Sequence, residues 1–177
     1  MNRLWAPWRM PFIQKVKKSD PKGCIFCKAF EEQKDKANFV LDRGRHSVAM
    51  LNIYPYNNGH LMVAPSRHTG DFQEISGVEW QDVMALTGKC QRVLEETLYP
   101  HGYNIGINLG RAGGAGLDDH LHVHLVPRWN GDANFMPIVG AIKVLPQALS
   151  ESYDQLKEAI NSARGRGTHG RKRAARV

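Results

Sequence analysis

The chain has 177 residues, 42% of them hydrophobic and four of them tryptophan, so it is long enough for one domain with a packed core. It holds no apolar run of the roughly 18 residues that a membrane span needs, and its first residues, MNRLWAPWRMPF, lack the apolar region of a secretory signal. A formal charge of +7 suggests a polyanion as partner. Six basic residues, Arg164, Arg166, Arg171, Lys172, Arg173 and Arg176, nevertheless crowd into SARGRGTHGRKRAARV, and the body without them is close to +1.

In chain order, residues 1–18 read as an arm whose tryptophans pack on the body or on a partner subunit. CIFCKAFEEQKDKA then places Cys24 and Cys27 at the start of a short helix. FVLDRG and SVAMLN read as consecutive strands that turn near RGRH, IYPYNNG as a loop of turn formers, and HLMVAP as a strand buried on both faces. From Val78 to Leu98 the periodicity is helical, with Val83, Leu86, Cys90, Val93, Leu94 and Leu98 on one side, which makes Cys90 a core thiol. YNIGINLG alternates as a strand, and the glycine-rich RAGGAGLDD leads directly into DDHLHVHLVPRW. A last helix follows Pro146, with Leu149, Tyr153, Leu156, Ile160 and Ala163 stepping by three and four.

This order predicts an α+β domain over residues 19–161, with a mainly antiparallel sheet and its helices gathered on one side. Residues 162–177 are expected to be a disordered basic tail that touches nucleic acid only weakly, through counterion release. Three cysteines, an odd number in a chain with no export signal, point to the cytoplasm.

His120, His122 and His124 alternate, so on a strand they share one face. Packing is a poor explanation for three imidazoles in strict alternation after a flexible loop. Two histidines at that spacing can bind one metal ion, with Asp118 and Asp119 near enough to complete a shell. Alternatively, a neutral imidazole attacks phosphorus while its neighbours position the phosphate. The surroundings favour attack on phosphorus, because the backbone around Gly114 and Gly116 can approach an anion and Asn108 offers an amide just before the loop. The Cys24–Cys27 spacing alone fits a metal pair, a redox pair or an accident. A redox pair would be expected in a thioredoxin-like βαβ setting, which is absent, and zinc would need two further ligands that only histidines can supply.

HLHVHLV matches the H-φ-H-φ-H-φ-φ pattern of the histidine-triad (HIT) superfamily of nucleotide hydrolases and transferases, which the chain resembles from its start to about residue 160. NNGHLMVAPSRH resembles the Gly-His strand motif of that family. LWAPWRM and PRWNGDANFMPIVGAIKVLPQAL resemble the branch that contains bacterial diadenosine tetraphosphate phosphorylases.

The resemblance implies a HIT-like fold and an adenine nucleotide substrate. It makes His122 the nucleophile on the α-phosphorus, with His124 and His60 beside the phosphate as hydrogen-bond donors. It places the nucleoside against Leu51, Asn52 and Ile53, with Asn52 at the ribose. It implies a structural zinc on Cys24, Cys27, His68 and His120, with His46 competing for the place of His68, and no catalytic metal. His101 and His169 read as surface or loop residues. Relatives commonly form homodimers through the long helix and a sheet edge. One departure is Gly116, which stands where relatives carry a side chain such as Ser or Gln that helps the leaving group. Two other classes of function remain open: a metal-dependent phosphoesterase with the histidines as ligands, and a non-catalytic nucleotide- or RNA-binding protein anchored by its tail.

Overall fold

The computed structural model describes residues 23–132 and 147–173, with side chains as far as Arg164. The N-terminal arm, residues 133–146 and the side chains of the basic end, His169 among them, lie outside the described residues. Among the described residues five strands form one sheet: β1 (Val40–Arg43), β2 (Ser47–Leu51), β3 (Leu61–Pro65), β4 (Gly102–Ile107) and β5 (Val123–Arg128). Their order is β1-β2-β3-β5-β4, and every neighbouring pair is antiparallel. β5, which carries His124, therefore lies inside the sheet, and among the described strands β1 and β4 take its edges. Three α-helices are found among the described residues: α1 (Ile25–Glu32), α2 (Gly77–Leu98) and α3 (Leu149–Arg173). No helix among them is long and apolar enough to cross a membrane.

The two faces of the sheet are set by alternation along each strand. Leu41, Ala49, Leu51, Leu61, Val63, Val123 and Leu125 pack under α2 and α3, against Val83, Leu86, Val93, Leu94, Tyr153, Leu156 and Ile160. Cys90 is buried in this same layer, as a core thiol should be, and burial raises it to about 12. On the other face Val40, Val48, Met50, Met62 and Ala64 meet Cys24, Phe26 and Ala29. The helices are thus not all on one side: α1 covers the second face, because Phe26 and Ala29 give it an apolar side of its own. With only eight residues it covers part of that face.

Local chemistry fixes the ends. α2 begins with a capping box, in which Ser76 Oγ accepts from the Glu79 amide and the Glu79 carboxylate accepts from the Ser76 amide. Such a cap contributes about 1 kcal/mol. Further along α2, Asp82 accepts from the backbone amide of His46 at 2.8 Å and from Ser47 Oγ at 2.6 Å, pinning the β1–β2 turn to the helix. A bulge between Val40 and Asp42 turns Asp42 to the helix side, next to Leu41. There its buried carboxylate meets Lys89 of α2 at 2.6 Å and Arg164 of α3. The backbone of α3 continues helical to Arg173, past Ser162, where the sequence suggests a solvated end.

Candidate functional site

The second face carries two adjacent clusters. In the first, His60, His122 and His124 come together from the ends of β3 and β5, and all are nearly or wholly buried. His60 enters at the start of β3 from Gly59, whose φ of +69° is the left-handed conformation glycine adopts without strain. A Cβ there would also lie 2.6 Å from Leu98 Cδ1, so the close approach of α2 adds to the preference for glycine. His120 and His122 precede the first residue of β5, Val123, and only His124 lies within the ladder, opposite Met62 and Gly106.

Backbone groups fix the protons on these rings. The Tyr56 amide donates to His60 Nδ1 at 3.0 Å, so His60 carries its proton on Nε2. That Nε2–H lies 3.0 Å from His124 Nδ1 and donates to it, which leaves the His124 proton on Nε2, on the side of Asn108. His122 Nδ1–H donates to the His120 carbonyl at 2.8 Å, so the lone pair of His122 is on Nε2. Burial also holds the His122 imidazole below its ordinary value, which keeps it neutral. A neutral imidazole with a defined lone pair stands beside one that directs an N–H outward: a nucleophile and a donor for developing negative charge.

The loop residues are placed unevenly. Asn108 Nδ2 donates to the Gly114 carbonyl at 3.4 Å and lies 3.4 Å from His124 Nε2, a contact between two N–H groups and not a hydrogen bond, so it places the glycine loop beside the histidines. The Gly114 amide is used inside the loop, donating to the Arg111 carbonyl, and so is not presented as part of an anion nest. Gly116 is half-buried in the same loop. Of the expected nucleoside contacts, Asn52 is buried beside His60 Nδ1, at 3.5 Å, and its Oδ1 accepts from the Tyr54 amide. Ile53 is exposed, whereas Leu51 points into the core beneath the helices, because β2 sends alternate side chains to opposite faces.

In the second cluster, ligand-type atoms of Cys24, Cys27, His68 and His120 all lie within 4.8 Å of one another. His120 Nδ1 is 3.2 Å from Cys24 Sγ, 3.2 Å from His68 Nδ1 and 3.7 Å from Cys27 Sγ, and Cys27 Sγ is 3.2 Å from His68 Nδ1. His120 Nε2–H donates to the Pro65 carbonyl at 2.9 Å, so Nδ1 has one lone pair facing three neighbours. A single lone pair cannot accept three hydrogen bonds; it can bind one cation at their centre. A tetrahedron with bonds of about 2.3 Å to sulfur and about 2.0–2.1 Å to nitrogen has edges of about 3.3–3.8 Å, close to the separations seen. Cys24 and His120 are buried and Cys27 and His68 half-buried; burial and the neighbouring Cys24 raise Cys27 to about 12, and burial lowers His120 to about 4. In such surroundings a cation is what makes thiolates favourable. His46 is not part of the cluster; its backbone amide serves Asp82. His101 accepts from the Asn130 amide at the surface.

The HIT domain family model matches residues 33–131, more than half of the chain. The chain belongs to the HIT family. It is 42% identical over 157 residues to the AP-4-A phosphorylase of Mycobacterium tuberculosis, covering 86% of this chain and 80% of that one. It is 32% identical over 108 residues to an adenosine 5'-monophosphoramidase of Schizosaccharomyces pombe, covering 61% of this chain and 76% of that one. Among solved structures, a Zn-bound histidine triad family protein from Mycobacterium smegmatis superimposes with a TM-score of 0.64 at 24% identity, over 82% of this chain and 99% of that one. The family and its relatives make this a nucleotide hydrolase or transferase of HIT type.

Three contributors have no signature in the sequence. The Tyr56 amide and the Pro65 and His120 carbonyls are backbone groups, found only once the chain is folded. Phe26 had one signal in the sequence, its place between two cysteines.

Proposed function

We propose that this protein splits diadenosine polyphosphates, diadenosine tetraphosphate first among them, through a nucleotidyl-histidine intermediate. The observation that carries the reading is the His122 imidazole, neutral, with Nδ1–H tied to the His120 carbonyl and its lone pair on Nε2. The relative named AP-4-A phosphorylase supports the substrate class. His122 Nε2 attacks the α-phosphorus; a P–N bond forms, the α–β bridging P–O bond breaks, and ATP leaves. His124, its Nε2–H fixed by His60, donates to the phosphate oxygens as charge builds. Water then releases AMP, or orthophosphate releases ADP, and His122 returns to its neutral form. Asn52 is the proposed contact for the ribose.

Cys24, Cys27, His68 and His120 are the proposed ligands of a structural zinc. Bound there, zinc would fasten α1 to the sheet and supply folding energy rather than a reactive water, since four protein ligands close the coordination shell. No step of the reaction runs through it. At the sheet edge, Asn104, Ile105 and Gly106 of β4 are exposed, and a second copy of the chain is the proposed cover for that edge. Free thiols at Cys24, Cys27 and Cys90 suit a reducing compartment, and the cytoplasm is the proposed location.

The test is rapid quenching of an active sample followed by mass spectrometry. An AMP adduct on His122 is expected in the wild type and is absent from His122→Ala, which also loses turnover. Product analysis separates the acceptors: ADP beside ATP means phosphorolysis, AMP beside ATP means hydrolysis. Turnover that survives His122→Ala, or vanishes on brief chelation and returns with metal without refolding, would instead favour a metal-dependent phosphoesterase.

A further inference from the structure

The two clusters share a wall. Cys24 and Cys27 bracket Phe26 in the first turn of α1, so the direction of the phenyl ring is tied to the positions of the two sulfurs. That ring is wholly buried. It lies against His120 with centroids 4.9 Å apart and against His122 with centroids 5.1 Å apart. The His122 ring meets His124 at 4.7 Å, nearly perpendicular at 74°, and its Nδ1–H is held by the His120 carbonyl. Phe26, His124 and the His120 carbonyl therefore confine the imidazole. Phe26 and His120 also belong to the Cys/His cluster or to the turn that builds it. In a close-packed interior such contacts transmit small displacements rather than absorbing them.

We propose that Phe26 is a positioning residue through which occupancy of the Cys/His cluster sets the orientation of the His122 imidazole. The proposal rests on the nucleotidyl-transfer reading and extends it. A metal that fastens α1 to the sheet also aims the nucleophile, without touching the substrate. With the phenyl ring lost, His122 can swing its Nε2 off the line of attack, and a misplacement of about 1 Å costs about 10²-fold in rate. The loss falls on formation of the P–N bond and not on ground-state binding, so kcat falls while KM is kept. Coupling of this kind is reciprocal: a nucleotide that presses on His122 also shifts the metal ligands.

The experiment uses the full-length protein loaded with cadmium and follows the metal by cadmium NMR during titration with AMP. Calorimetry on the same sample records AMP binding. Saturation with AMP is expected to shift the cadmium resonance of the wild type. Phe26→Leu, still carrying cadmium and still binding AMP, is expected to show a clearly smaller shift. In zinc-loaded Phe26→Leu, kcat for diadenosine tetraphosphate should be lower by roughly tenfold to hundredfold with KM little changed. An unmoved resonance in AMP-saturated wild type overturns the coupling by itself, even where Phe26→Leu fails to fold. So does a folded Phe26→Leu protein with full kcat. Absence of AMP binding in the calorimeter strikes at the nucleotide reading and brings the coupling down with it, whereas binding with a silent resonance sinks the coupling alone.

Discussion

Gly70 lies so close to Asp118 that a Cβ added to it would stand 2.2 Å from the Asp118 carbonyl oxygen and 2.9 Å from the Asp119 Cα. Both obstacles are backbone, so neither can rotate away. The approach is locked one residue earlier, where the Thr69 carbonyl accepts from the Leu121 amide at 2.8 Å. Together they hold His68 beside His120, where their Nδ1 atoms are 3.2 Å apart. Gly70→Ala is expected to cost about 1–3 kcal/mol, as overpacking of a close contact does. It should also weaken metal retention, because each of the two segments pushed apart carries a ligand, His68 on one and His120 on the other. Thermal midpoint and metal content after dialysis check both; a variant unchanged in each would show that the contact yields freely.

Removing one sulfur from the Cys/His cluster should be more damaging. Cys24 is wholly buried and 3.2 Å from His120 Nδ1. Cys24→Ala is expected to lose the metal and several kcal/mol of stability, on the order of what a structural metal site supplies. The measurement is zinc per chain by elemental analysis together with a denaturant midpoint. Zinc-free wild type, with Cys24→Ala as stable as its parent, would refute the structural role.

Much of this was legible before folding, and particular residues show why. The long helix expected from Val78 to Leu98 spans Gly77–Leu98, because an apolar stripe sustained over that length is a strong local signal. The triad stood out because period-two histidines have no bland explanation. Cys24, Cys27, His68 and His120 do converge, and His46 does not. Other features were out of reach for a physical reason. The placement of α1 on the second face depends on which surface the two large helices leave open, a tertiary choice. Leu51 could be assigned to the nucleoside slot or to the core only once the phase of β2 was known, since one residue of register exchanges the faces. The donors and acceptors that fix four imidazoles are mostly backbone atoms, identical at every position of a sequence.

Acid should loosen the start of α2. Arg67 and the Ser76 amide and hydroxyl hold the Glu79 carboxylate down to about 2. A carboxylate whose folded value is depressed contributes stability above its unfolded value, near 4.3, and that contribution is lost as pH falls toward about 2. Glu79→Gln is therefore expected to be less stable than wild type at neutral pH, with the difference shrinking as pH falls through that window. Thermal midpoints of both proteins from pH 7 downward test it; parallel curves would remove Glu79 from the acid response.

The last expectation concerns the proton held between two histidines. His60 accepts from the Tyr56 amide on Nδ1 and so must donate from Nε2 to His124 Nδ1. That donation is what keeps the His124 proton on Nε2, facing the position proposed for the phosphate. In His60→Ala the His124 ring loses its fixed acceptor role and can place its proton on either nitrogen. His122, held separately by the His120 carbonyl, keeps its lone pair. The nucleophile is thus intact while the donor is compromised, and the loss should resemble removal of one oxyanion donor, about 10²–10³-fold in kcat. Nucleotidyl-His122 should still form, more slowly, whereas His122→Ala forms none. Single-turnover quench with diadenosine tetraphosphate separates the cases: full-rate adduct formation in His60→Ala would mean that the His60–His124 hydrogen bond orients nothing the reaction uses.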